Sequence, residues 1–205
     1  MTGFGTLYII SAPSGAGKTS LVRELRAQCG GLAVSVSHTT RSQRPGEVDG
    51  RDYFFISRDD FGRMVDGAEF LEHAQVFDNF YGTARSTVEA SLARGEDVIL
   101  EIDWQGARQI RSLIPECVSI FILPPSLTEL EARLSSRGQD QPETIARRMA
   151  DAISEISHYE EYDYLIINDE FEEALGQLRS ILTANRLQTS RQEATHQALI
   201  SSLLA

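Results

Sequence analysis

Cysteine is scarce in this chain: Cys29 and Cys117 are the only two, and no C-x-x-C spacing joins them. That excludes a disulfide framework and a cysteine-based zinc site, and the expected setting is the reducing cytoplasm. Positive charge is also in deficit, with 19 Lys and Arg against 30 Asp and Glu and a formal net charge of −11. Without a basic face to replace condensed counterions, nucleic acid is not an expected partner, and any phosphate must be met by local groups of arginine and lysine. Long apolar runs are missing too. Nothing approaches the ~20 residues that span a bilayer and no charged-then-apolar leader opens the chain, so no membrane is expected. His38, His73, His158 and His196 lack metal-ligand spacing, and neither a repeat nor a low-complexity segment occurs. What remains, at 205 residues and 41% hydrophobic content, suffices for one sizeable core.

What is present, near the start, is a phosphate cradle. Thr6-Leu7-Tyr8-Ile9-Ile10-Ser11 reads as a buried strand and runs into Ala12, Pro13, Ser14, Gly15, Ala16, Gly17, Lys18 and Thr19, where a helix begins. Small residues let the backbone wrap closely enough for successive N–H groups to point inward at an anion, and the helix N-terminus adds its positive dipole end. Lys18 is placed to reach the β- and γ-phosphates of a nucleotide, and Thr19 to offer a hydroxyl to Mg²⁺. Ala12 stands where the usual G-x-x-x-x-G-K-[ST] has its first glycine; with φ below zero, its methyl costs little. A glycine-rich turn without a ligand is the plainer alternative, and the flanking strand and helix favour the cradle.

Apolar strands at 6–11, 97–102, 118–123 and 163–168 alternate with amphipathic helices, the pattern of a parallel sheet covered by helices. Between the first two, strands at 33–37, 53–56, 69–77 and 80–83, linked by the polar stretch from His38 to Glu47, read as a small β-rich insertion. Helix starts are marked by Ser57 ahead of Phe61 and by the capping box Ser126-Leu127-Thr128-Glu129 ahead of Leu130 and Leu134. A polar break from Arg137 to Pro142 follows, and a new helix from near Glu143 places Ile145, Met149, Ile153 and Ile156 on one face. With Arg137, Arg147 and Arg148 around the break, the two helices read as a lid. The division is then a single domain, 1–205, with core 1–36, 90–125 and 158–189, insertion 37–89 and lid 126–157. The tail, 190–205, is either a docking helix or a frayed end.

Within the insertion, Arg41 and Arg44 can present planar forks to a phosphate and Tyr53 a directional hydroxyl, beside Ser37 and Glu47. That is a grip for a monophosphate, with a solvated polar loop as the alternative. Further on, the strand period puts Glu72 on the face of Phe70 and Ala74, opposite His73. A carboxylate among apolar neighbours needs donors. Guanine offers two, N1–H and the 2-amino group, where adenine presents an acceptor. A polar site whose partner is missing rejects the analogue by as much as ~10⁴-fold.

In order along the chain, Ser11-Ala12-Pro13-Ser14-Gly15-Ala16-Gly17-Lys18, Ser37-His38-Thr39-Thr40-Arg41 with Arg44-Pro45-Gly46-Glu47, Phe80-Tyr81-Gly82-Thr83, Ile102-Asp103-Trp104-Gln105-Gly106-Ala107 and Ile166-Ile167-Asn168-Asp169 closely resemble the guanylate kinase family, over about residues 5–187. The resemblance implies an α/β fold: a three-layer P-loop core with a parallel sheet, a small β-rich GMP-binding insertion and a helical lid. It also implies Mg²⁺-dependent transfer of the γ-phosphoryl group from ATP to GMP. By similarity Ser37, Arg41, Arg44, Tyr53, Glu72, Tyr81 and Thr83 contact GMP, the arginines and tyrosines at its phosphate and Ser37, Glu72 and Thr83 at its base. Glu47, Glu101 and Asp103 match an acidic wall around substrate and metal. Arg137 and Arg148 match lid arginines that reach the ATP phosphates, and Asn168 lies where the family approaches the adenine. Lys18, Arg41, Arg44, Arg137 and Arg148 are thus the expected catalytic set, whereas Arg147 reads as a helix-face partner of Glu143.

Position 101 is Glu where the family usually has Asp, Phe80 replaces a common tyrosine, and Thr83 keeps the hydroxyl of a frequent serine. Two rival readings are a kinase of a phosphorylated sugar on the same scaffold and a peptide-binding module. The first should lack Ser37, Glu72 and Thr83 as a guanine-reading set, and modules of the second kind characteristically lose the cradle. Homo-oligomerisation stays open.

Overall fold

The computed structural model describes residues 5–76, 78–136 and 142–205. Among them, β1 (Leu7–Ser11), β2 (Leu32–Val34), β7 (Asp97–Glu101), β8 (Val118–Leu123) and β9 (Tyr164–Ile167) form one sheet in the order β2-β7-β1-β8-β9. Every pairing in it is parallel. All five residues of β1 are buried, as a parallel strand covered on both faces requires.

The period-2 alternation of β1 builds the layers. Tyr8 and Ile10 face a cluster with Leu21 and Leu25 of α1 (Lys18–Gln28) and Leu175, Leu178 and Leu182 of α7 (Phe171–Arg186). Leu7 and Ile9 face the opposite cluster, with Val88 of α3 (Arg85–Ala93) and Ala107 and Ile110 of α4 (Trp104–Leu113). The core is therefore the expected three-layer α/β arrangement.

A second sheet, in the order β4-β3-β6-β5, contains β3 (His38–Thr39), β4 (Phe54–Phe55), β5 (Phe70–Val76) and β6 (Asn79–Ala84). Helix α2 (Arg58–Asp66) starts at Ser57, whose hydroxyl accepts the Asp60 N–H at 3.0 Å. Two sequence expectations are corrected here. The strand read at 33–37 as part of the insertion is Leu32–Val34 and pairs with β7 at the edge of the core sheet, because Leu32 joins the apolar cluster of α1 and α7. His38 and Thr39, read as linker, are strand. The His38 ring stacks on Phe54 at 4.7 Å, and Thr39 is fully buried with its hydroxyl donating to the Phe80 carbonyl at 3.0 Å, so both are held in the sheet despite their polarity.

The lid pair is α5 (Leu127–Ser136) and α6 (Pro142–Ile156). The Ser126 hydroxyl accepts the Glu129 N–H at 3.0 Å, as the capping box predicts. Leu130 and Leu134 pack against Ala152 and Met149, whereas Ile153, expected on that face, is 52% exposed. The buried position on α6 is thus Ala152, one residue before the expected one.

At the other end, buried Asp97 accepts from Arg186 at 2.7 Å and from Arg191 at 2.6 Å. It also accepts the Thr6 N–H at 2.8 Å. Arg191 belongs to α8 (Thr189–Leu204), so the tail is docked at its first turn, while Leu203 and Leu204 at its far end are exposed. Among the described residues no helix is long and apolar enough to cross a membrane.

Candidate active site

The cradle lies between β1 and α1, at the carboxyl end of a central parallel strand, where ligands of such sheets gather. Gly15 and Gly17 have φ of 95° and 93°, backbone that only glycine adopts without strain. Ala12 is absent from the positive-φ residues, so its methyl is accommodated. The Asn168 side-chain amide donates to the Ala16 carbonyl at 2.7 Å, which fixes the loop from the end of β9. In this structure Asn168 therefore supports the cradle.

A cleft of about 300 Å³ joins this loop to the second sheet, lined among others by Lys18, Thr19, Ser37, Tyr53, Glu72, Tyr81, Glu101 and Asp103. Sequence positions far apart thus converge. Thr19 donates its hydroxyl to the Glu101 carboxylate at 3.1 Å, which puts Glu101 beside the hydroxyl end of the cradle. Asp103 caps α4 by accepting the Gly106 N–H at 2.9 Å, and its other oxygen accepts from the Gln105 amide at 3.1 Å. Among the described residues no group of three or more His, Cys, Asp or Glu could hold a metal ion by itself. A cation at Thr19 and Glu101 would thus complete its shell with phosphate oxygens and water, the habit of Mg²⁺.

Glu72 is 4% exposed and sits opposite Thr83 in the β5–β6 register. The Thr83 hydroxyl donates to it at 2.6 Å. Burial pushes its carboxyl up to about 7, the Asp103 charge adds to this, and Thr83 opposes it. Thr83 is itself fully buried, so it orients Glu72 from behind.

Arg41 and Glu47 form an ion pair at 2.7 Å, and the other oxygen of Glu47 accepts the Arg44 N–H at 2.8 Å. The Arg41 hydrogen bond holds the Glu47 carboxyl below its ordinary value, with burial opposing and the Arg44 N–H assisting. Glu47 thereby shapes the arginine turn and is not among the residues lining the cleft. The Arg41 guanidinium lies 5.3 Å from the Tyr53 ring centroid, and Tyr53 meets Tyr81 edge-on at 5.9 Å. Arg44 is exposed.

From the lid, Arg148 donates to the Ser14 hydroxyl at 2.6 Å. Arg137 lies outside the described residues. Sequence reasoning missed Glu155, which accepts the Ser14 N–H at 3.2 Å. Burial raises its carboxyl, and Lys18 opposes that rise. A signal existed: positions 148 and 155 are two helical turns apart and share one face.

The sequence model of the guanylate kinase family, described as "Guanylate kinase", matches residues 5–185. The chain belongs to the guanylate kinase family. It is 62% identical over 200 residues to the guanylate kinase of Methylococcus capsulatus, covering 98% of both chains. The Escherichia coli K12 guanylate kinase is 59% identical over 203 residues, again with 98% of each covered. A crystal structure of guanylate kinase from Anaplasma phagocytophilum superposes with a TM-score of 0.77 at 38% identity, over 93% of this chain and 90% of that one. That guanylate kinase thus shares this chain's fold over nearly its whole length.

Proposed function

We infer that this chain transfers the γ-phosphoryl group of ATP to GMP, giving ADP and GDP, with Mg²⁺ as cofactor and the cytoplasm as its setting. The observation that carries the reading is one cleft lined both by the cradle residues Lys18 and Thr19 and by the buried carboxylate of Glu72. Donor and acceptor sites of different chemistry face each other across it.

Phosphoryl transfer passes through a loose transition state with charge spread over the migrating group, so the protein's work is positioning and neutralisation. Lys18 and the cradle N–H groups hold the donor phosphates. Arg41, Arg44, Tyr53 and Tyr81 hold the acceptor phosphate, with Arg41 pre-oriented by Glu47. Glu72 accepts the two guanine donors, backed by Thr83. Arg148 arrives with α6, and Arg137 completes the lid on this reading, excluding water that would otherwise hydrolyse ATP. Thr19 and Glu101 would hold Mg²⁺, which when bound neutralises charge on the β- and γ-phosphate oxygens.

The test is ADP formation from ATP with GMP, AMP, CMP and UMP offered in turn. Turnover with GMP alone supports the reading. A phosphorylated sugar accepted in place of GMP would overturn it, and so would peptide binding without turnover.

A further inference from the structure

Glu72 is anchored to more than its own sheet. Helix α4 lies along the free edge of β5, where the Gln109 side chain accepts the His73 N–H at 3.2 Å and donates to the His73 carbonyl at 2.8 Å. One amide thus mimics a neighbouring strand, and it seats the first turns of α4 against the residue next to Glu72. At the N-terminal end of that helix stands Gly106, buried, with its N–H held by Asp103 at 2.9 Å.

A Cβ at position 106 would lie 2.5 Å from the Glu72 Oε2 and 3.1 Å from its Cδ. At the first distance the carboxylate must shift, and the second is already tighter than an ordinary contact. The reason for glycine is not conformational, because position 106 is ordinary helix and is absent from the positive-φ glycines. It is the close approach of a carboxylate to the first turn of a helix, where the positive end of the backbone dipole favours negative charge. Asp103 and Glu72 thus flank one residue from two sides.

The geometry points to Gly106 as a positioning residue for guanine specificity: the missing side chain is the seat that holds the Glu72 carboxylate where the base is read. This rests on the reading of Glu72 given above. The obstructed group is the far end of a side chain, so an added methyl displaces Glu72 from its aim without breaking backbone, and alanine is itself a good helix former. The fold survives and the aim does not.

Gly106→Ala is therefore expected to raise the KM for GMP about tenfold and to reduce the preference for GMP over AMP by a similar factor, with the KM for ATP within about twofold of wild type. In a Glu72→Asp background, where the shorter side chain clears the methyl, the same substitution should add nothing further. Equal effects in both backgrounds would overturn the inference, as would an unchanged GMP preference in Gly106→Ala. If that variant does not fold, the wild-type amide of Gly106 decides. Its resonance should shift between wild type and Glu72→Gln, because the carboxylate lies against position 106; a resonance indifferent to Glu72 overturns the inference. Glu72→Gln measured in parallel separates the two claims. If it alone loses guanine preference, only the role of Gly106 falls; if it keeps that preference, the base reading falls as well.

Discussion

The Thr19 hydroxyl donates to the Glu101 carboxylate at 3.1 Å, across the gap between the cradle and the end of β7. On the proposed function, Glu101 is thereby tied to the side of the cleft where Mg²⁺ would bind. Glu101→Gln should raise the Mg²⁺ concentration needed for half-maximal turnover several-fold and leave the GMP KM at saturating Mg²⁺ near wild type. Glu101→Asp, one methylene shorter, should behave closer to wild type. A Gln variant that alters the GMP KM alone would make residue 101 a base reader instead.

Glu72 gives a pH dependence of known sign. Its carboxyl sits at about 7 in the free protein, above its ordinary value, so the protonated form is the comfortable one there. Its favourable contribution to stability is complete below the ordinary carboxylate range and is lost as pH rises through 7, a change of about 3 kcal/mol. On the proposed base reading GMP needs the ionised form, so its affinity should fall by up to about tenfold per pH unit below 7. Titration calorimetry of wild type and Glu72→Gln at pH 6 to 8 checks this, because the GMP phosphate titrates equally in both. Parallel pH profiles would show that Glu72 does not titrate in this range.

Glu155 on the lid helix holds a cradle N–H that a phosphate oxygen would otherwise take. Removing its charge should relieve the repulsion an incoming triphosphate meets there. Glu155→Gln is expected to tighten equilibrium binding of a non-hydrolysable ATP analogue about three- to tenfold. Weaker binding would mean that the carboxylate assists the nucleotide.

Lys18 is outside the apolar clusters and lines the cleft. Lys18→Ala should lower kcat by about 10²–10³ with an unchanged thermal midpoint. Near-normal turnover would remove the P-loop from the mechanism.

Asp97→Asn should destabilise by about 3–5 kcal/mol, because it leaves Arg186 and Arg191 facing a neutral group at a site 1% exposed. In a domain of this size that is roughly 10 °C in thermal midpoint. Hydrogen exchange should show α8 loosening before the sheet. An unaltered midpoint would reduce the pair of ion pairs to ornament.

Much of the site could be read directly from residue order, because strand and helix periods alone place Glu72 inward and Lys18 at a helix start. His38 and Thr39 escaped as strand because polarity marks loops, and only the Phe54 and Phe70 rings around His38 show it packing as an aromatic. Glu155 was half legible, through its spacing from Arg148. Gly106 was not legible at all: its lack of a side chain matters only because a carboxylate 34 positions earlier in the chain comes against it. Glu47 matched a motif, yet its place beside Arg41 depends on a turn that periodicity does not describe.

The central position of β1 also governs how the chain is made. Leu7 pairs with Val98 on one side and Tyr8 with Val118 on the other, so β1 has no sheet neighbour until β7 (Asp97–Glu101) has been synthesised. At about 5–20 residues per second, that wait is on the order of ten seconds. Over this interval an apolar strand and the glycine loop after it are held open as a nascent segment, and slower synthesis between β1 and β8 should raise the yield of aggregate rather than of active enzyme.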